Sequence, residues 1–203
     1  VQIEPSLVPQ LLSLLGFPLA IRVFYREKEE VDLSKVKPLI IGRLVGGPIG
    51  LFLLLNLSEK YLSIAVGFIV FIAGIGSFFG WVINRNIFNS FLAGTFSGVF
   101  GMVAAIGGPP VALLYRNTKS QEFRPSLNSV FSIGIVITLL LLLFSGNLLR
   151  DHFLLFIIFL PFVLIGLRVS STLFSKVSDK FISHAVTYFS LLSGLYVILR
   201  NIN

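Results

Sequence analysis

Long apolar runs separated by short polar connections make up almost the whole chain. Several runs reach the roughly 20 residues that a helix needs to cross the hydrocarbon core of a bilayer. The strict polar–apolar alternation that marks the strands of an outer-membrane barrel is absent from the sequence. The pattern therefore predicts an all-α polytopic membrane protein, a single transmembrane domain over residues 1–203. Its predicted spans lie at about 6–24, 37–56, 60–83, 88–117, 125–147, 152–175 and 180–200.

The composition supports this class and narrows the function. Hydrophobic residues make up 55% of the chain and charged residues 12%, whereas soluble domains carry about 25% charged residues. The net charge of +7 comes from cations in the connections between spans, where the basic character of cytoplasmic loops explains them without a nucleic-acid partner. The sequence has no Cys and no metal, nucleotide or hydrolase motif, so we expect no enzyme activity and no cofactor.

The predicted span at 88–117 is broken by glycines and prolines, namely Gly94, Gly98, Gly101, Gly107, Gly108, Pro109 and Pro110. A Gly-Gly-Pro-Pro run cannot continue a helix. Broken backbone survives at membrane depth only where protein or a water-filled cavity surrounds it, and transporters commonly hold their solutes at such breaks. We therefore expect the site near residues 107–110, whereas Gly94, Gly98 and Gly101 fit helix-packing positions better.

The distribution of Lys and Arg decides between two topologies. If 88–117 crosses the membrane once, the loop cations divide almost evenly, 8 against 6. If it enters, breaks and returns to the same side, 11 of the 16 cations lie on the side of the loop 26–37 and 3 lie opposite. Because cytoplasmic loops are the basic ones, we predict a re-entrant hairpin and a cytoplasmic loop at 26–37, in a prokaryotic inner membrane.

This topology gives the three spans of residues 1–85 the opposite orientation to the last three spans of residues 86–203. A partial echo joins KPLIIGRLVGG (37–47) to LPFVLIGLRVSS (160–171), since each contains a proline, an apolar stretch, a glycine and an arginine. Inverted repeats of this kind are common in transporters. We predict two repeats of three spans, the second opened by the broken hairpin. The first repeat lacks its hairpin, and we expect a matching Gly-rich segment before Val1.

The run AGTFSGVFGMVAAIGGPPVALLYRN (93–117) resembles the second-half signature of the TauE/SafE family, in which spaced glycines end in Gly-Gly-Pro. REKEEVDLSKVKPLIIGRLVGGPIG (26–50) is similar to the first inter-span loop of that family and the helix after it. PSLVP (5–9) is similar to the segment that comes after the first-half hairpin. The resemblance covers essentially the whole chain, and it implies a permease that exports sulfite or a sulfonate-like anion.

The broken segment itself favours an anion. Proline suits the first turn of a helix because its missing N–H is not needed there. A half-helix starting at Val111 would point the N–H groups of Val111 and Ala112, and the positive end of its dipole, at the break. The candidate site residues here are four break residues that allow close approach, two amides and two hydroxyl donors: Gly107, Gly108, Pro109, Pro110, Val111, Ala112, Thr95 and Ser97.

Arg43 and Arg168 are the basic residues that lie well inside predicted spans. An intramembrane charge costs at least ~2.5–3.5 kcal/mol, and no Asp or Glu lies in a predicted span core to pair with either. A guanidinium can grip an oxyanion through parallel N–H donors, so both are candidate substrate-binding residues. The alternative is that both snorkel to lipid phosphates, because each lies within reach of the inner loops.

The sequence thus favours a transporter, embedded in the lipid bilayer, that exports a small anion such as sulfite or an organosulfonate by alternating access, with a homodimer as one option. An anion channel would use the same residues without a gating step. A non-transporting scaffold or subunit would use the glycines for packing alone. His152 and His184 are weaker candidates for proton coupling, because histidine titrates near neutral pH.

Overall fold

The structure, a computed structural model, describes residues 8–27, 31–115, 120–173 and 179–202, and these residues form eight α-helices. The helices are α1 (Val8–Glu27), α2 (Leu33–Asn56), α3 (Glu59–Phe78), α4 (Ile87–Ala104), α5 (Gly108–Tyr115), α6 (Ser120–Phe144), α7 (Arg150–Leu173) and α8 (Asp179–Ile202). By length and composition, α2, α3, α4, α6 and α7 can each cross a membrane. Helices α1 and α8 coincide with two further predicted spans but are not among these five. The predicted all-α polytopic class is confirmed.

Local capping fixes several helix ends. The Asp32 side chain accepts the Ser34 N–H at 3.1 Å and starts α2. The Asn86 side chain accepts the Asn89 N–H at 2.7 Å and starts α4. Such caps satisfy amides that have no partner inside the helix. The predicted span at 60–83 is too long, because α3 ends at Phe78 and Gly80 then turns the chain with a φ of 70°.

The predicted break in 88–117 is present, but it lies a few residues earlier than expected. Ala105 takes the left-handed conformation with a φ of 56° and ends α4. The next N–H, from Ile106, donates to the Phe100 carbonyl at 3.3 Å and closes the helix end. Helix α5 then begins at Gly108 rather than at Val111, because prolines are compatible with a first helical turn.

Helix α5 runs back beside α4. The Arg85 guanidinium, just before α4, lies 5.0 Å from the centroid of the Tyr115 ring at the end of α5. The Ile83 N–H also donates to the Leu113 carbonyl at 3.4 Å. One buried apolar cluster joins the early parts of α2, α4 and α6 to α5: Val36, Leu39, Ala93, Val111, Leu114, Tyr115 and Val130. The two ends of the α4–α5 segment therefore lie next to each other.

The most extensive helix contact is between α2 and α4, and glycines make it possible. A Cβ at Gly42, Gly46 or Gly50 would meet a backbone carbonyl of α4 at residues 91, 95 and 99 in turn. Gly94 and Gly98 face the α2 backbone in the same way. Small residues four apart let membrane helices approach closely. The packing role predicted for Gly94 and Gly98 is confirmed, and α2 and α4 form a parallel pair.

Two other helix pairs complete the described bundle. Helices α1 and α6 pack together, with the Ser132 hydroxyl donating to the Ala20 carbonyl at 2.8 Å. Helices α3 and α8 pack together at Gly67 and Gly194, where each glycine lies close to the backbone of the other helix. Helix α7 packs against α1 and is the least buried of the five candidate spans. The core therefore centres on α2, α4, α5 and α6.

We expect Gly46→Leu to lower the thermal unfolding temperature of the purified protein. A side chain at position 46 would overlap the Thr95 carbonyl, and a backbone carbonyl cannot move aside as a flexible side chain can. Overpacking costs about 1–3 kcal/mol, and we expect the upper end of that range. Gly166→Leu on α7 is the matched control, because its Cβ would meet no atom within 4 Å. Equal unfolding temperatures for the two variants would contradict the close α2–α4 contact.

Candidate functional site

Arg43 lies in the centre of the bundle, where it is 5% exposed. Its Nη1 donates to the Ser97 hydroxyl on α4 at 3.1 Å. Its Cζ lies 5.8 Å from the centroid of the Phe131 ring on α6, within the range of a cation–π contact. Among the described residues, no carboxylate forms an ion pair with Arg43. The site therefore contains a buried cation whose charge the described side chains do not balance.

Three glycines make room for this guanidinium. A Cβ at Gly134 on α6 would overlap the Arg43 Nε and Cζ. A Cβ at Gly101 would lie 2.9 Å from Nη2, and a Cβ at Gly107 would lie 3.1 Å from Nη1. Helices α4 and α6 and the α4–α5 break thus enclose the charged group. Sequence reasoning missed Gly134, although an isolated glycine in an apolar helix commonly has a packing or functional reason.

Ser97 connects the arginine to the break. It is fully buried, it accepts the hydrogen bond from Arg43, and its hydroxyl donates to the Gly107 carbonyl at 2.6 Å. The structure thus brings together three of the residues predicted for the site. Gly107 could not carry a side chain here, because its Cβ would lie 2.8 Å from the Ser97 carbonyl oxygen.

The break also supplies backbone donors. Since α5 begins at Gly108, the N–H groups from Ala112 onward have carbonyl partners one turn back within the helix, and Pro109 and Pro110 have no N–H to offer. The N–H groups of Gly107, Gly108 and Val111 remain, and none of them has a backbone acceptor outside α5 among the described residues. These donors lie at the positive end of α5, and they extend from Val111, one of the two amides that the sequence indicated, back to Gly107.

The other predicted residues of the break support the site rather than face Arg43. Val111 is buried in the apolar cluster beside α2 and α4, and Ala112 is half-buried in the first turn of α5. Pro109 and Pro110 line an apolar cavity between α3 and α4. The α4 residues in that cavity occupy a different face of the helix from Ser97 and Gly101.

The remaining candidates lie elsewhere. The Thr95 hydroxyl donates to the Phe91 carbonyl of its own helix at 3.0 Å. Arg168 is exposed on α7, so the structure does not bury it as it buries Arg43. His152 is 1% exposed, and its Nδ1 accepts the Leu149 N–H at 3.0 Å at the start of α7. The side chain of His184 lies outside the described residues.

The structure contains a broken segment that apolar helices enclose, with hydrogen-bond donors at the break. This arrangement is typical of membrane transport proteins with discontinuous helices. The family described as "Sulfite exporter TauE/SafE" matches residues 7–197, and the chain belongs to that family. The resemblance predicted from the broken segment is therefore confirmed over nearly the whole chain. Comparisons with curated proteins and with solved structures gave no match.

Proposed function

We propose that the protein exports a small oxyanion, sulfite or an organosulfonate, and that Arg43 binds this anion at the α4–α5 break. The observation that carries the proposal is the buried guanidinium that no described carboxylate balances. Burying an uncompensated charge is costly, so an anion that enters the break relieves that cost. The choice of a sulfur oxyanion rests on membership of the sulfite exporter family.

The donors at the break suit an anion with several oxygens. The planar guanidinium of Arg43 offers parallel N–H donors in a fixed fork. The backbone amides of Gly107 and Gly108 add neutral hydrogen-bond donors. The prolines that follow have a fixed φ, which holds the start of α5 in place. Val111 and Ala112 follow these amides in the first turn of α5. Ser97 keeps the guanidinium aligned with the break.

We further propose that the α4–α5 segment is a re-entrant hairpin that opens to the cytoplasm. Its two ends are joined by the Arg85–Tyr115 contact, and the cation distribution favours the same arrangement. Arg43 and the break would then lie near the middle of the membrane. Helices at this depth need their break enclosed by protein, which the neighbouring α2 and α6 provide.

Alternating access would come from two repeats of opposite orientation, α1–α3 and α6–α8. Helices α1 and α6 pack on each other, and so do α3 and α8, as matched pairs of such repeats would. Exchanging the two repeats would also turn the α2–α6 contact into a contact between α7 and α1, and both of these contacts are present. In this arrangement Arg168 is the counterpart of Arg43, and we propose that it attracts the anion from the cytoplasmic side.

The test is anion uptake into proteoliposomes with sulfite, a small sulfonate, sulfate and chloride as separate substrates. We expect saturable flux and counterflow with sulfite or the sulfonate, and much weaker flux with chloride. Flux that rises without saturation, and without counterflow, would favour a channel. Folded protein that moves none of the four anions would favour a scaffold and contradict the proposal.

We expect Ser97→Ala to raise the half-saturating anion concentration about tenfold, equivalent to about 1.4 kcal/mol. The change removes both the acceptor for Arg43 and the donor to Gly107, and hydrogen bonds to charged groups contribute about 1.5–3 kcal/mol. Thr95→Val is the matched control, because the Thr95 hydroxyl bonds only within α4 among the described residues. Equal effects of the two changes on half-saturation would argue against a positioning role for Ser97.

A further inference from the structure

A crevice runs between α3 and α4, apart from the Arg43 site. Its volume is about 590 Å³, and the end of α2 and the start of α5 complete its walls. Its lining is made of aliphatic and aromatic side chains, and Asn89 is its one polar member among the described residues. Phe68 on α3 and Phe96 on α4 are both more than half exposed, so the crevice opens sideways toward the bilayer.

The lining indicates the kind of molecule that fits. Apolar cavities of this kind do not hold water well, and an anion would find no donor along the aromatic walls. Another helix fits less well, because the α2–α4 and α3–α8 pairs approach closely at glycines and none of the described lining residues is a glycine. A flexible hydrocarbon chain can follow a surface of Phe, Ile and Leu side chains.

The dimensions agree with such a chain. The α4 residues that line the crevice extend from Asn89 to Val103, a distance of about 21 Å at 1.5 Å per residue. One leaflet of the ~30 Å hydrocarbon core is about 15 Å thick, so the crevice is long enough to hold the whole acyl chain of a lipid in one leaflet. The polar end of the crevice is at Asn89, whose side chain donates to the Asn84 carbonyl at 2.7 Å. A head group could lie at this end, beside the polar turn 84–86.

We propose that this crevice binds one acyl chain of a membrane phospholipid. The chain lies along α4 with its head group at the Asn89 end, and it contacts Pro110 and Leu113 of α5 on the side away from Arg43. The lipid therefore supports the outer face of the broken segment. This binding site is independent of which solute the protein moves.

The experiment uses tryptophan quenching by brominated acyl chains. Trp81 is the chain's single tryptophan, so Trp81→Phe gives a silent background in which Phe100→Trp reports from inside the crevice. Phe162→Trp reports from α7, where Phe162 is 68% exposed. Both proteins are placed in phosphatidylcholine vesicles in which a rising fraction of the lipid carries bromine at mid-chain. We expect quenching at both positions. At residue 100 we expect the quenched fraction to rise in proportion to the fraction of brominated lipid, as it does when a single lipid chain occupies the crevice.

A filled crevice supplies the decisive comparison. Ala73→Phe on α3 places a ring in the crevice, and we expect it to reduce the quenching at residue 100 at least threefold and to leave quenching at residue 162 unchanged. If Ala73→Phe does not fold, Ala65→Leu fills the same crevice with a smaller group. A tryptophan at residue 100 that brominated chains do not quench, or quenching that survives filling in a folded protein, would overturn the proposal.

Discussion

Replacing Arg43 with methionine is expected to abolish anion flux while leaving the protein as stable as before, or more stable. Removing one partner of a buried charge pair costs about 2–5 kcal/mol of binding, which lowers affinity about 30-fold to several thousandfold. Without the anion, however, the guanidinium is a buried charge with no described carboxylate partner. Replacing buried charges by apolar groups of similar size is often neutral or stabilising, and methionine adapts to irregular space.

The measurement pairs sulfite flux in proteoliposomes with thermal unfolding of the same preparations. Arg168→Met is the matched control, since Arg168 is exposed on α7, and we expect a partial loss of flux from it. Arg43→Lys keeps the positive charge but lacks the paired N–H donors of the guanidinium. Its flux should therefore fall between those of the parent and Arg43→Met. Normal anion flux in Arg43→Met would show that Arg43 does not bind the transported anion. A large loss of stability in Arg43→Met, restored by lysine, would assign Arg43 a structural role.

The sequence contained much of this site, because its chemistry depends on residue types that are rare inside a membrane. A Gly-Gly-Pro-Pro run and two arginines within apolar spans are visible without a structure. The sequence could not separate Arg43 from Arg168, since each follows a proline and a glycine in an apolar run. Packing separates them: α4 covers α2, whereas α7 stays largely exposed.

The start of α5 shows a different limit. In the sequence the two prolines fit the end of a break, and they therefore predict free amides at Val111 and Ala112. Prolines fit the first turn of a helix as well as they fit a break, and α5 takes them in. This earlier start of α5 adds Gly107 and Gly108 to the free donors, and Gly107 lies next to Ser97 and Arg43.

The contact between α2 and α4 could have been predicted more fully. Gly42, Gly46 and Gly50 are four residues apart, and so are Gly94 and Gly98, a spacing that favours close helix pairs. The enclosure of Arg43 by Gly134 and Phe131 could not be predicted in the same way. It depends on the rotation of α6 about its own axis relative to α2, and tertiary packing fixes that rotation. The sequence indicates it only through a single glycine, Gly134.

That lone glycine gives a second prediction of large effect: Gly134→Ala is expected to reduce anion flux nearly as much as Arg43→Met. The added Cβ would overlap the Arg43 Nε and Cζ, so the guanidinium must swing away from Ser97 and Gly107. Alanine is favoured over glycine within a helix by roughly 0.5–1 kcal/mol, so helix propensity does not explain any loss. Flux and unfolding temperature are measured together, with Gly166→Ala as the control in open space.

The double variant Arg43→Met/Gly134→Ala separates displacement of the arginine from general damage to α6. If the alanine acts by displacing the guanidinium, it has nothing to displace once Arg43 is absent, and the double variant should lose no more flux than Arg43→Met alone. Neighbouring changes that act on one group are non-additive in this way. Its unfolding temperature should also match or exceed that of Gly134→Ala. Full flux in Gly134→Ala would mean that anion binding does not need the guanidinium at this position, because the alanine and the observed side chain cannot occupy the same space.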